Sequence, residues 1–373
     1  MRIARLRAEE RFAASRRQLC SPRARYGRLV AATFALSMAG CAPDGPAWHA
    51  EPWPEANALF TNDPRWIGGD GAYTVDLGRG RILWLFGDSF IALSSERRRD
   101  DSYMVRNSVA IQTGCDPSTA FMRFYYRTLE RHPQSFIPED GKFWFWPGHG
   151  VRIGDRALLF YGRVFQEGEG MWGFSSGSWT AFVVENPDDE PIAWRYREAR
   201  TAADTEVQLG GAVLPIGDWL YVYGNGTGRH PIYLARFDTQ RAMQGDLTSP
   251  EWWNGEGWGG SREALIEIGA PEYSVHRVPG TTTFAFTQTA GFGASTLAVR
   301  TANALEGPWS APRDIIRPPE SFLPEPFVYA GKAHPELCGA DVAVTYVPSG
   351  FDTSPPDPKE LYYYPRFVRV SYQ

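Results

Sequence analysis

The chain carries the segment WIGGDGAYTVDL at residues 66–77, followed by ILWLFGDS at residues 82–89. Apolar residues alternate in both segments, which predicts two short β-strands joined by a Gly-Arg-Gly-Arg turn at residues 78–81. Asp70 lies near the start of the first strand, and Asp88 lies at the exit of the second. Glycines beside both acids leave their side chains uncrowded, so a ligand can approach the backbone closely. Two such carboxylates on one hairpin indicate sugar chemistry.

Similar strand pairs recur along the chain about every sixty residues. Counted from residues 70, 149, 211, 274 and 334, the intervals are 79, 62, 63 and 60 residues. The longer first interval predicts an inserted loop around residues 115–140. Helical periodicity is almost absent, so five such units predict an all-β fold, a five-bladed β-propeller. A β-sandwich or β-helix is the alternative, but sandwiches seldom repeat at this period and β-helix rungs are shorter.

The propeller prediction brings distant residues together, because the first strand of each blade lines a central channel. We expect the residues that open these five strands to converge on one funnel. They are Asp70, His149, Gly210, Glu272 and His334.

The N-terminus has the features of an export signal. Nine arginines lie in the first 28 residues, and the uncharged run Leu29–Gly40 follows; its twelve residues suit a signal-peptide core but are too few to span a bilayer. The ending Met-Ala-Gly-Cys41 resembles a bacterial lipobox, so we expect residues 1–40 to be removed and Cys41 to be lipidated. An ordinary signal peptide cut nearby is the alternative. The prolines of residues 41–58 predict an irregular tether.

Residues 59–373 are predicted to form a single propeller domain, exported and anchored by lipid to the bacterial cell envelope. Without its leader the chain keeps 29 basic and 41 acidic residues, a net charge near −12. This charge repels phosphate backbones and anionic lipid, so we expect no nucleic-acid partner and membrane contact through the lipid alone.

Two cysteines, Cys115 and Cys338, would remain unmodified in the mature protein. An exported compartment permits them to pair, and two separate buried thiols are the alternative. Because no Cys/His cluster has zinc spacing, we expect no structural zinc site.

Several motifs resemble the family described as domain of unknown function 4185 and its relatives. The motifs are WIGGDG at 66–71, WLFGDS at 84–89, RNSVA at 106–110, WPGHG at 146–150, PEYS at 271–274 and YPRF at 364–367. Members of that family are five-bladed propellers similar to arabinanase-like glycoside hydrolases, and some are endo-D-arabinanases acting on mycobacterial-type arabinan. The resemblance covers most of residues 60–373 and implies that Asp70 and Asp88 are catalytic carboxylates.

Glycosidases need one carboxylic acid to protonate the leaving oxygen and one carboxylate to act as base or nucleophile. We expect Asp70 to be the base or nucleophile and Glu272 or Asp88 to be the proton donor. The resemblance supports Glu272, because a later glutamate is the usual acid in arabinanase-like propellers, and burial would keep it protonated. Glu206, just before the third unit, is the alternative acid. Asp88 could instead cap a turn, and each glutamate could be a solvated loop charge.

Five further residues are candidates for binding substrate: His149, Glu206, Trp253, His334 and Arg366. The histidines could bond sugar hydroxyls, orient an acid or hold an axial cation, although a lone histidine is more often structural. Arg366 could pair with a channel carboxylate or be an ordinary strand arginine. Trp253 lies in a Gly-rich loop and could stack on a sugar ring or fill the space between blades. We expect Trp144 and Trp146 to serve packing.

The sequence therefore predicts a glycoside hydrolase for furanose-rich, arabinan-like polysaccharide, working by paired-carboxylate catalysis as a monomer. No cofactor is required on this interpretation, although an axial cation such as calcium is possible. The alternatives are a non-catalytic carbohydrate-binding propeller and a structural envelope protein that holds a protein partner. The signatures of serine hydrolases, nucleotide-binding loops and zincins are absent from the sequence.

Overall fold

The structure is a computed structural model. It describes residues 47–170, 173–203, 206–291, 295–322, 327–349 and 363–372. The expected signal segment, residues 1–40, and Cys41 lie outside these ranges. Within them, no helix is both long enough and apolar enough to cross a membrane.

The described chain begins with strand β1 (Trp48–Pro52), a 3-10 helix (Pro54–Asn57) and the short helix α1 (Ala58–Thr61). This segment belongs to the propeller, although the sequence predicted an irregular tether over residues 41–58. Pro52 ends a strand that pairs on one side only, and Pro54 occupies the first turn of a helix. Proline is tolerated at both positions, because neither needs its missing N–H.

The first two blades follow in chain order. Blade 1 contains β2 (Trp66–Gly78), β3 (Arg81–Ala92), β4 (Ser102–Val105), β5 (Ser108–Thr113) and β6 (Phe121–Tyr125), with β4 pairing with the end of β3. The hairpin β7 (Arg127–Leu129) and β8 (His132–Gln134) lies in the predicted insertion. Blade 2 contains β9 (Trp144–Ile153), β10 (Arg156–Gln166), β11 (Phe174–Val184) and β12 (Tyr196–Glu198).

Blade 3 is longer, because a short helix and extra strands extend its outer edge. The strand β13 (Arg200–Thr201) precedes β14 (Val207–Ile216), β15 (Trp219–Gly226), β16 (Ile232–Asp238), helix α2 (Thr239–Met243), β17 (Asp246–Leu247), β18 (Glu251–Trp253) and β19 (Trp258–Gly259). The sheet of this blade runs β14-β15-β16-β18-β19, and β13 pairs separately with β17.

The last two blades complete the ring. Blade 4 contains β20 (Tyr273–Arg277), β21 (Phe284–Ala290), β22 (Thr296–Ala302) and β23 (Arg313–Ile316), and a 3-10 helix (Pro319–Phe322) follows. Blade 5 contains β24 (Phe327–His334), β25 (Val342–Ser349) and β26 (Arg366–Tyr372), with β1 as its outermost strand. The N-terminal strand thus closes the last blade, and the five-bladed propeller is confirmed.

Buried apolar side chains join neighbouring blades. At the junction of blades 5 and 1, Trp53, Phe60, Trp84 and Phe367 pack together, and each exposes at most 1% of its surface. Similar clusters lie between the other neighbouring blades. Aromatic residues provide much of this buried area, which explains their frequency in the sequence.

Four of the five inner strands carry a β-bulge, whereas β20 pairs with β21 in regular register. Register shifts interrupt β2 at Asp70 and Ala72, the β9–β10 pairing opposite Leu159–Tyr161, β14 after Leu209 and β24 after Tyr329. Bulges bend a strand and turn a side chain out of the regular ladder. The bulges explain why short, Gly-rich motifs recur at the start of the sequence units.

The fifth unit begins earlier than the sequence predicted. Its inner strand is Phe327–His334, so His334 ends the strand instead of opening it. His149 and Gly210, which were also expected to open inner strands, lie inside β9 and β14. The bulge that corresponds to the one at His149 lies at Ala330 and Gly331. Asp88 also lies within β3, four residues before its last residue, rather than at a strand exit.

Cys115 and Cys338 form a disulfide, with Cα atoms 5.2 Å apart. Cys115 lies between β5 and β6 of blade 1, and Cys338 lies between β24 and β25 of blade 5. The bond therefore links the first blade to the last across 223 residues of sequence. This settles the two alternatives in favour of pairing.

Candidate active site

Asp70 occupies a double bulge at the mouth of the channel. Gly71 and Ala72 both have positive φ, +77° and +56°, which turns the chain so that Asp70 leaves the plane of the ladder. Gly87 lies opposite on β3, where an added Cβ would collide with Asp70 Oδ1. The glycine before Asp88 is therefore needed to admit the Asp70 carboxyl group.

The Asp70 carboxyl group lies among tyrosines and other acids. The hydroxyl of Tyr329, on the inner strand of blade 5, donates to Asp70 Oδ2 at 2.7 Å. Burial, reinforced by the nearby charges of Glu272 and Asp88, raises the pKa of Asp70 to about 7. Hydrogen bonds from Tyr329 and Tyr363 oppose this rise. Asp70 is therefore poised to hold or release a proton near neutral pH.

Asp88 is held by two nitrogen donors. Trp146 Nε1 donates to Oδ1 at 2.9 Å, and Arg106 Nη1 donates to Oδ2 at 3.2 Å. The guanidinium of Arg106 also lies 4.4 Å from the centre of the Trp144 ring. Burial, the largest cause, raises the pKa of Asp88 above its ordinary value, and the charge and hydrogen bonds of Arg106 and Trp146 offset only part of that rise. Both oxygens accept hydrogen bonds, so this carboxylate has a fixed position beside Asp70.

Glu272 directly precedes β20 and forms an ion pair with the inner strand of the neighbouring blade 5. Lys332 Nζ, on β24, donates to Glu272 Oε2 at 2.7 Å and also bonds the carbonyl oxygens of Gly71 and Ala330. The Lys332 side chain is 1% exposed and lies over the Tyr73 ring. The Lys332 ammonium group thus fixes the position of the Glu272 side chain beside Asp70. The role of Glu272 as proton donor stays a prediction.

Both channel histidines make hydrogen bonds within the inner wall. His149 Nδ1 accepts from the N–H of Val213 at 2.9 Å, and the ring also bonds the backbone of Thr74. The two nitrogens of His334 each lie 2.7 Å from a hydroxyl, of Thr74 and of Thr345. Burial lowers the pKa of His149 to about 4 and that of His334 well below its usual value. Both are neutral wall residues.

These histidines do not fit an axial cation, because all four ring nitrogens already have hydrogen-bond partners in the wall. Over the ranges that the structure describes, no group of three or more His, Cys, Asp or Glu side chains could hold a metal ion. The structure therefore does not support a calcium ion bound by His149 or His334.

Three other predicted binding residues lie outside the carboxylate cluster. Glu206 is 82% exposed and pairs with Arg262. Arg366 pairs with Glu320 at 3.5 Å rather than with a channel carboxylate. Trp253 belongs to the outer part of blade 3, where its ring lies 5.5 Å from that of Trp258 and packs against the core between blades 3 and 4. The packing alternative fits Trp253 better than a role in the funnel.

The structure adds five side chains that were not predicted as site residues: Arg106, Trp146, Tyr329, Lys332 and Tyr363. Arg106 and Trp146 lie in motifs that are visible in the sequence, although the sequence predicts a packing role for Trp146. The other three come from blade 5, whose inner strand was predicted to start too late. Correct placement of the segment FVYAGK at 327–332 would have brought Tyr329 and Lys332 to the channel.

The fold and the carboxylate cluster define a five-bladed β-propeller with an acidic channel mouth. The chain belongs to the family described as domain of unknown function 5005, whose sequence profile matches residues 55–372. The name of family 4185, which the motifs resemble, is not confirmed by this match. No curated protein sequence matches the chain.

Solved structures with a similar fold include a Bacteroides ovatus protein provisionally described as a hydrolase. It is 18% identical with a TM-score of 0.69, and the alignment covers 87% of this chain and 90% of that one. The catalytic domain of a GH62 α-L-arabinofuranosidase from Coprinopsis cinerea aligns with a TM-score of 0.47 and 10% identity, over 87% and 96% of the two chains. An α-L-arabinofuranosidase from Lactobacillus brevis aligns with a TM-score of 0.47 and 13% identity, and the alignment covers 83% of this chain and 92% of that one. At these identities the Bacteroides ovatus structure establishes the shared fold alone.

Proposed function

We propose that this protein is a glycoside hydrolase whose catalytic groups are the carboxyls at the channel mouth. The observation that carries the proposal is the position of Asp70, with a pKa of about 7, beside the acids Asp88 and Glu272. Glycoside hydrolysis needs a carboxyl that holds a proton near neutral pH and a second one that is charged. A buried group with a perturbed pKa and specific charged neighbours is typical of a catalytic site.

In this proposal Asp70 is the proton donor and Asp88 is the charged partner that serves as base or nucleophile. Hydrogen bonds from Arg106 and Trp146 favour the charged form of Asp88 and hold it in place. Glu272, fixed by Lys332, raises the pKa of Asp70 by its charge. These roles differ from the sequence-based expectation, in which Asp70 is the base or nucleophile.

The proposed substrate is a furanose-rich, arabinan-like polysaccharide, as the motif resemblance implies. We further propose that the protein acts outside the cytoplasm, tethered by a lipid on Cys41. The signal-like leader supports export, and so does the Cys115–Cys338 disulfide, because such bonds persist in oxidising compartments.

A polysaccharide screen tests this function. Wild-type protein is incubated with arabinans, xylans and galactans, and released reducing ends are measured beside Asp70→Asn and Asp155→Asn. We expect arabinan cleavage that Asp70→Asn reduces by about 10²–10⁴-fold, the usual contribution of a positioned acid or base. Asp155 lies in an exposed turn of blade 2, so its variant should retain wild-type activity.

Equal product release by Asp70→Asn and wild type would refute the assignment of Asp70. Saturable binding of a polysaccharide by wild type, with no release of product under any condition, would favour the non-catalytic binding protein instead.

A further inference from the structure

A cavity lies at the opposite end of the channel from Asp70. Its volume is about 620 Å³, and the final residues of all five inner strands contribute to its wall. Asp70 lies near the start of β2, whereas Thr74 to Asp76, which line this cavity, lie toward its end. Cavities of this size commonly bind small molecules.

Two polar side chains that line this cavity have unsatisfied atoms. His276 is 4% exposed, and neither of its ring nitrogens has a hydrogen-bond partner in the described part of the chain. The same holds for Glu336 Oε1. Buried polar atoms without partners cost free energy, so such atoms at a cavity wall point to an occupant that bonds them.

The charges around the cavity indicate a neutral occupant. Asp76 and Glu336 contribute two acidic groups, and Arg152 and Arg277 contribute two basic ones. Arg152 is also paired with Asp188 at 2.7 Å. A strongly charged ligand would therefore meet groups of its own sign on the wall, which is unfavourable.

The hydrogen-bonding groups of His276 and Glu336 match the neighbouring hydroxyls of a sugar. Burial lowers the pKa of His276 to about 4, so at neutral pH its ring offers one N–H donor and one acceptor nitrogen. Burial also raises the pKa of Glu336 to about 7, which lets its carboxyl group donate or accept. Valine, leucine and proline side chains and the ring of Phe284 supply apolar wall. Apolar walls with few polar groups suit the faces and hydroxyls of a sugar ring.

We propose that the cavity at the distal end of the channel binds a single neutral sugar ring through His276 and Glu336. The site is separate from the carboxylate cluster, and its occupation does not depend on hydrolysis.

Imidazole NMR tests the proposal, because His276 is one of only six histidines in the chain. Full-length, ¹⁵N-histidine-labelled protein is titrated with L-arabinose and D-xylose, and the His276 signals are assigned with His276→Phe. We expect these signals to shift saturably in wild type and equally in Asp70→Asn. Glu336→Ala, which removes the carboxyl group, should weaken binding at least tenfold, as expected for loss of one buried hydrogen bond. His49→Phe, on the exposed side of β1, should bind as wild type does.

Crystals soaked in the same sugars locate the molecule directly. Density for a ring beside His276 that is absent from His276→Phe crystals would support the proposal. His276 signals that stay unchanged throughout the titration, or ordered water alone in the cavity, would overturn it. Neither result affects the hydrolase proposal, because that is tested by product release.

Discussion

The protonation of Asp70 depends on neighbours that come from three different blades. Glu272 and Asp88 raise its pKa through their charges, while Tyr329 and Tyr363 lower it through hydrogen bonds. Burial is the largest cause, because a charged carboxylate is poorly solvated at this position. Each neighbour therefore offers a way to test what Asp70 does.

The pH profile distinguishes the two possible roles of Asp70. If Asp70 donates the proton, activity falls as the pH rises through about 7, because the protonated fraction declines. Tyr329→Phe removes a bond that lowers the pKa, so the alkaline limb should move to higher pH. The measurement is kcat/KM on the polysaccharide found by the screen, from pH 4 to 9. Activity that instead rises through pH 7 would show that the charged form of Asp70 is required.

Lys332 should stabilise both the fold and the position of Glu272. Lys332→Met leaves the Glu272 carboxylate without its ammonium partner, and loss of one member of a buried pair costs about 3–5 kcal/mol of unfolding free energy. The double variant Lys332→Met/Glu272→Gln should recover most of that loss, since no unpaired charge remains. Urea unfolding measures both effects, and Lys142→Met, on an exposed lysine, is the control. A double variant no more stable than the single one would contradict this account.

At the scale of elements, several inner strands depart from regular strand geometry through β-bulges. Bulges in β2, in β14 and in β24 interrupt the ladder at corresponding heights of the channel. The sequence indicates such irregularity through its glycines, but Ala72 and Ala330 adopt positive φ without being glycine. A non-glycine residue adopts that conformation only where surrounding contacts hold it there, and those contacts come from other strands.

The N-terminal strand β1 is expected to stabilise the whole ring. It pairs with β26 over five residues, and Trp53, just after it, packs edge-on against Phe367. A chain that begins at residue 54 loses both contacts, so its melting temperature should fall well below that of a chain that begins at residue 47. Trp53→Ala alone should cost about 3–5 kcal/mol, the usual range for a buried tryptophan. Equal melting temperatures of the two chains would mean that residues 47–53 are dispensable.

At the scale of the whole molecule, the ring is closed twice. The strand β1 joins blade 5 by hydrogen bonds, and the Cys115–Cys338 disulfide joins blade 5 to blade 1 covalently. Both closures connect parts of the chain that are far apart in sequence. A propeller depends on such closures, since an open ring would expose the apolar faces of its first and last blades.

Removal of the disulfide should lower the unfolding free energy by about 2–5 kcal/mol, because the unfolded chain gains freedom across a long loop. The variant Cys115→Ala/Cys338→Ala is compared with wild type by chemical unfolding under oxidising conditions. Wild type in reducing buffer should match the variant. Unchanged stability in both cases would indicate that β1 alone closes the ring.

Local patterns in the sequence were sufficient for the blade count and for the first catalytic candidate. The alternation of apolar residues reflects the two-residue period of a strand, and the sixty-residue spacing reflects the repeat of a whole blade; both can be seen along the chain itself. Asp70 could be located because its glycines are adjacent to it. By contrast, the sequence places the start of the fifth inner strand too late. His334 is therefore predicted at the start of that strand instead of its end, and Tyr329 and Lys332 are not predicted to face the channel.

By itself, the sequence determined that this chain forms five β units and presents Asp70 at the mouth of a channel. Only the tertiary structure decided which side chains surround that acid. The hydroxyl of Tyr329, which donates to Asp70, is 259 residues away in sequence, and the paired residues Lys332 and Glu272 are 60 residues apart. It also decided that β1 belongs to the last blade and that His334 faces hydroxyls instead of a ligand. The physical reason is that strand periodicity is a short-range property, whereas protonation and ion pairing depend on contacts that ring closure creates.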